Sequence, residues 1–417
     1  MNCWVPDSLD VDAVFRGYGA KLAERVVWLG HTVFTRLAVD PRCRDTGMAP
    51  LHSTILRRLL GWRYLGPARE LAESIGYVQR DRSYSAGRFS QSYSIGREYA
   101  HARLVQYTLT DAGLLESIRR ERDRIANEQA KRLAEPGSTI TPEVFARLKT
   151  DIDRLKIDAD VQAWTPTEQI VIDRIRRRSS WAKVCEYGRL HTVLTSTPRR
   201  LRSNLHIGGK RLTAVDIGES QPLFIGLALP QDPNHTKPTT HNTATATTPL
   251  MLHMPSQWGE GPTMLHAEPA DLGDWLGLCE RRGLYQAVGD VLRVSRKAVK
   301  EPVMAALFGK PHHTSRASRA LETLFPATWE AIQELKRTWG YASLAHAAQR
   351  AESGFIFGRC VRRLMAEHPG LWLGTIHDSI LTTAGSEGIV HDLMADEFEK
   401  LGLNPRLTVE RFCESDC

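Results

Sequence analysis

Asp216, Lys300 and Asp378 lie in three short segments whose residue types suit phosphoryl-transfer chemistry. In LTAVDIGESQPLFIGLAL the apolar run 212–215 delivers Asp216 at the end of a strand-like stretch. In LGTIHDSILT the apolar run 371–376 is interrupted by His377, Asp378 and Ser379 before Ile380 and Leu381 resume. Two converging carboxylates can hold divalent metal ions such as Mg²⁺. The middle segment, RKAVKEPVMAALFG, places Arg296, Lys300, Met304 and Phe308 every four residues, which is one stripe of an α-helix. Two cations followed by a thioether and an aromatic ring can run from a triphosphate to a sugar and a base. Each segment also has a plain structural reading. Asp216 could be a helix N-cap. His377–Ser379 could be an ordinary polar turn. The middle helix could be amphipathic, with cations that reach out to solvent. Pro302 either kinks that helix or moves its start to near Lys300. Gly309 would let another backbone or a template base approach closely.

The elements that must position these segments can be read from the patterning. The stretch 10–40 has helical apolar spacing, and 51–61 and 67–76 read as two short helices. Residues 77–96 alternate Tyr77, Val78, Tyr84, Phe89, Tyr93 and Ile95 around Ala86-Gly87, the signature of a hairpin. Two helices followed by a basic hairpin is the order of a winged-helix module. Arg80, Arg82, Arg88 and Arg97 among tyrosines suit nucleic-acid contact, or a solvated face of a small structural hairpin. Residues 111–135 form a charged helix of mixed sign, which reads as solvated. The arginines at 174, 176, 177 and 178, and at 199, 200 and 202, could flank a nucleic-acid backbone. Periodicity disappears over 230–262, where Pro, Thr, Asn and Gly dominate, so a flexible insertion is expected. Helical patterning then runs to about 367. A strand hairpin at 371–383, a helix at 387–402 and a strand at 405–412 close the sequence.

The bulk properties set bounds. The chain has 417 residues and a net charge of +7, which suits a polyanionic partner without requiring one. Its seven cysteines are scattered with no CxxC pair, so free thiols in a reducing cytoplasm are expected rather than zinc or disulfides. No apolar run reaches the ~18 residues of a membrane span.

Order and spacing together resemble motifs A, B and C of the family A polymerase superfamily, which includes DNA polymerase I-like enzymes and phage-type single-subunit RNA polymerases. Motif B reads Arg, three residues, Lys, seven residues, Tyr-Gly, matched here by Arg296, Lys300 and Phe308-Gly309. His377-Asp378-Ser379 matches motif C, and Asp216 opens motif A. The resemblance covers residues 185–417. It implies an α+β right-hand polymerase, with an antiparallel palm sheet and helical fingers beside a mainly helical N-terminal region carrying the winged-helix-like hairpin. It implies that Asp216 and Asp378, with the backbone of Ile217, bind two Mg²⁺ ions, or Mn²⁺ in their place. Lys300 and Arg296 would meet the triphosphate, with Lys300 protonating the leaving group, and Phe308 would stack by the nascent pair. His377 and Arg189 would touch nucleic acid. At the sugar-selecting position the DNA-synthesising members carry Glu and the RNA-synthesising members Gly; this chain has Gln221. Phe308 stands where the RNA-synthesising branch has Tyr.

The expected organisation is a nucleic-acid-binding region at 1–110, a thumb-like helical region at 111–184, palm at 185–229, insertion at 230–262, fingers at 263–367 and palm again at 368–417. The expected function is template-directed nucleotidyl transfer from nucleoside triphosphates, RNA-synthesising or primase-like. A DNA polymerase of a mobile element and a non-catalytic nucleic-acid-binding protein are the alternatives.

Overall fold

A computed structural model describes residues 1–14, 16–81, 90–179, 181–229, 268–311 and 314–412. The insertion expected at 230–262 and the hairpin tip carrying Arg82 and Arg88 lie outside the described residues. The described chain is mixed α and β, mainly helical, with antiparallel strand pairing throughout.

The strand Lys210–Ile217 is the axis of the fold. Its alternation sends Leu212 and Ala214 into one apolar cluster and Val215 and Ile217 into another. The first cluster takes in the N-terminal helices, and the second the helices that follow Asp216. Strands Ser379–Thr383 and Leu407–Arg411 flank this axis on either side, pairing Asp216 with Ser379 and with Thr408. Strand Gly374–Ile376 completes a hairpin with Ser379–Thr383 through the two-residue loop His377-Asp378. Leu381 then faces the first cluster and Ile380 the second, so both strands obey the same two-sided pattern.

Asp151 anchors this hairpin from below. Its carboxylate accepts from Arg147 at 2.8 Å and from the backbone N–H of Leu373, and its carbonyl accepts from the indole of Trp372 at 2.6 Å. Beyond its polar first residues Ser220 and Gln221, the helix Ser220–Ala228 is apolar all round and is correspondingly buried, packed against helix Ser343–Ser353.

Near the N-terminus the stretch of helical spacing at 10–40 forms Val11–Val14 and Ala20–Val39, separated where Gly17 and Gly19 both adopt positive φ. The second expected short helix starts earlier, at Trp62, and carries Pro67 in its interior, where the missing N–H removes the helical hydrogen bond to the Arg63 carbonyl. Strands Val78–Arg80 and Ser92–Ile95 pair as expected, and a short third strand, Ala49–Pro50, joins them. The hydroxyl-bearing ring of Tyr77 fills the space above Gly30 of the long helix, where an added Cβ would come within 2.2 Å of the ring.

Candidate active site

The loop after Lys210–Ile217 and the tip of the Gly374–Thr383 hairpin bring the two aspartates together. Ser379, opposite Asp216 in the sheet, donates its hydroxyl to Asp216 Oδ1 at 2.6 Å. Ser220, at the start of the next helix, donates to Asp378 Oδ2. Each loop thus supplies a hydroxyl to the carboxylate of the other. The second oxygen of each carboxylate has no protein partner among the described residues. Burial, and then the Asp378 charge, push Asp216 up to about 6. Asp216 lies inside the strand and the residue capping helix Ser220–Ala228 is Glu219, so the N-cap reading of Asp216 does not apply.

The helix that carries the cation stripe spans Arg296–Phe308, opened by the Ser295 hydroxyl accepting from the N–H of Ala298. Pro302 lies within it, so the helix does not start at Lys300. Val299, Val303, Ala306 and Leu307 are buried on one side. On the other, Arg296, Lys300, Met304 and Phe308 all line a cavity of about 980 Å³ that also takes in Asp216, Ile217, Gln221, Arg189, His377 and Asp378. The stripe read from the sequence is therefore one wall of the space the carboxylates face. Gly309 is not part of that wall. Its close neighbour is the Ala305 carbonyl, which a Cβ would meet at 2.5 Å, so a side chain here would strain the end of its own helix.

Residues that sequence reading passed over hold this arrangement. Glu219, buried and in a left-handed conformation at φ 51°, accepts from Arg296 at 3.0 Å and from the backbone N–H of Leu284 at 3.0 Å. It ties the loop after Asp216 to the first turn of helix Arg296–Phe308. Arg282 crosses Gly218, where a Cβ would come within 2.5 Å of the guanidinium, and donates to Thr408 at 2.8 Å. Tyr285 reaches the Met304 sulfur at 3.5 Å.

Glu352, on helix Ser343–Ser353, is nearly fully buried. Arg189 grips it with two hydrogen bonds of 2.8 Å, and Gln221 donates its amide N–H to Oε2 at 2.5 Å. Burial outweighs the arginine and leaves Glu352 raised to about 7. No local pattern signals this group, since Glu352 is 131 residues from Gln221 and 163 from Arg189.

His377 takes φ 53° at the first position of its two-residue hairpin loop, where glycine is the easy choice. Burial, and then the positive groups Arg189, His191, Arg202 and Arg42, push it down to about 4, so its ring is neutral at physiological pH. Its Nδ1 is buried without a hydrogen-bond partner. Arg42 reaches this cavity from the N-terminal region. Arg80 lies elsewhere, forked on Glu73 at 3.0 and 3.2 Å.

The donor set at Asp216 and Asp378 is hard oxygen. Among the described residues no group of three or more His, Cys, Asp or Glu forms a metal cage. Two carboxylates fit an ion such as Mg²⁺ that takes the rest of its shell from phosphate and water. Among the described residues no helix is long and apolar enough to cross a membrane.

No family profile matches the chain, and no curated protein does. Among solved structures it is similar to the POL domain of Pol1 from M. smegmatis, determined in complex with DNA primer-template and dNTP. The two share 11% identity over 94% of this chain and 69% of that one, with a TM-score of 0.31. A similarity this distant says nothing about individual residues.

Proposed function

We propose that the chain is a template-directed nucleotidyltransferase that extends a 3′-hydroxyl with nucleoside triphosphates, using ribonucleotides. The observation that carries this reading is the single cavity walled by two unlike chemistries, paired carboxylates on one side and the Arg296–Lys300–Met304–Phe308 stripe on the other. When bound, Mg²⁺ or Mn²⁺ held by Asp216, Asp378 and the Ile217 carbonyl would supply Lewis-acid stabilisation to the reacting oxygens. Asp216 must shed its proton to serve, and a cation beside it favours that. Arg296 and Lys300 would hold the triphosphate, and exposed Lys300 would give a proton to the departing pyrophosphate. Met304 and half-buried Phe308 would support the incoming base. Neutral His377, with its unpartnered Nδ1, would meet the primer terminus. The basic N-terminal hairpin would meet template or primer.

The ribonucleotide part rests on Gln221. Its amide N–H is taken by Glu352, which Arg189 holds in turn. The carbonyl oxygen of Gln221 is left as an acceptor for a sugar hydroxyl, and it brings no charge to repel one.

Incubation of the protein with primed and unprimed templates, Mg²⁺ or Mn²⁺, and rNTPs or dNTPs separately tests both parts. Extension with rNTPs is expected. Product with dNTPs alone would reject the sugar assignment and support the mobile-element alternative. No product with either, under binding conditions, would support the non-catalytic alternative.

A further inference from the structure

Trp164 is 77% exposed, the highest value among the large apolar side chains of the described residues. It is nevertheless held rigidly. Its backbone N–H donates to Glu168 Oε2 at 2.7 Å, at the start of helix Pro166–Arg176, whose first turn is locked by a reciprocal Thr165–Glu168 capping box. Arg200 grips the same Glu168, with its Nε 2.7 Å from Oε1, and lays its guanidinium 3.7 Å from the centre of the indole ring. One ring face is therefore covered by a cation and the other is open. A large indole fixed from behind and bare in front is a preformed stacking surface with little left to order on binding.

Trp164 lines a groove of about 590 Å³ that shares no lining residue with the cavity around Asp216. His101 and Arg103 line it, both exposed, and neither has an ion pair among the described residues. Asp173, the acid in the wall, is already paired with Arg177 at 2.8 Å. Arg176 braces the carbonyls of Ala159 and Val161 at 2.9 and 3.1 Å, which fixes the loop that presents Trp164. The groove therefore offers one aromatic plane beside uncompensated positive charge.

We propose that the Trp164 groove binds single-stranded nucleic acid, with a base stacked on the exposed indole and backbone phosphates on Arg103 and His101. The ligand is unpaired because a duplex keeps its base faces stacked on one another. Recognition is sequence-tolerant, since every base has a π face.

The test uses the full chain and a labelled mixed-sequence single-stranded oligonucleotide, followed by anisotropy at several salt concentrations. Trp164→Ala is expected to weaken binding about five- to a hundredfold, as loss of one stacked base of ~1–3 kcal/mol requires. Trp164→Phe should retain most of the affinity with an unchanged melting temperature. Arg103→Glu should weaken binding and flatten the salt dependence. Unlabelled duplex of the same length should compete poorly with the parent protein. Equal affinity of parent and Trp164→Ala, or competition by duplex as strong as by single strand, would overturn the proposal. Its failure would leave the catalytic reading standing, because Asp378 has no part in this groove.

Discussion

Burial and the neighbouring Asp378 push the Asp216 carboxyl up to about 6, which sets catalysis against stability at a single residue. Between the ordinary aspartate range near pH 4 and pH 6 the folded chain holds this proton more tightly than the unfolded chain does. Stability attributable to this group is therefore present at low pH and lost as pH rises through the folded value. Asp216→Asn is expected to raise the melting temperature at pH 7, with the gain shrinking toward pH 4, in thermal melts across that range without metal. A gain that is constant with pH would contradict the assignment. Added Mg²⁺ should raise the melting temperature of the parent and leave that of Asp216→Asn nearly unmoved. Arg189 presents the opposite case. Its removal leaves Glu352 buried among polar partners without its cation, so Arg189→Ala should cost about 3–5 kcal/mol in denaturant unfolding. Adding Glu352→Gln to that variant should return much of the loss, because a neutral amide needs no counter-charge. The aspartates and the stripe were legible at this scale because each is a local pattern of types and spacing. Glu219, Ser220, Arg282, Tyr285 and Glu352 were not, because their meaning lies in contacts made across long stretches of chain.

At the scale of elements, strand and helix boundaries followed from alternation and capping, and they failed where backbone conformation decides. Gly17 and Gly19 interrupt a stretch of helical apolar spacing. Pro302 left two starting points open for the helix that carries Lys300, and the Ser295 cap settled the matter in favour of Arg296. Gly309 makes a close approach to the helix's own Ala305 carbonyl, a contact its local sequence does not signal. The same physics makes Gly30 a sharp test of helix packing. Tyr77 is wholly buried against it, and a Cβ there would lie 2.2 Å from the ring. Gly30→Ala gains helix propensity, yet it forces the tyrosine or the helix aside. A net destabilisation of at least about 1–3 kcal/mol is expected by chemical denaturation. Stabilisation, as propensity alone would give, would show that Tyr77 packs elsewhere.

Across the whole molecule, two apolar clusters share one antiparallel sheet, and the cavity lies where the central strand runs out of that sheet. The sequence carried the order of the parts, including strand, helix and hairpin around the three motifs. It could not tell that Arg42 reaches the cavity from the N-terminal region, or that the first cluster draws in Trp372, Leu381 and Phe412 from the far end of the chain. Those facts depend on which surfaces meet after folding. The central claim is that Asp216 and Asp378 jointly serve one nucleotidyl-transfer site. It is tested most directly by single-turnover extension of a primed template with rNTPs and Mg²⁺, comparing the parent with Asp378→Asn. Loss of a carboxylate worth several kcal/mol to the reacting oxygens predicts a rate lower by about a thousandfold, with template affinity kept. A parent that extends the primer and an Asp378→Asn variant that extends it at a similar rate would contradict the account.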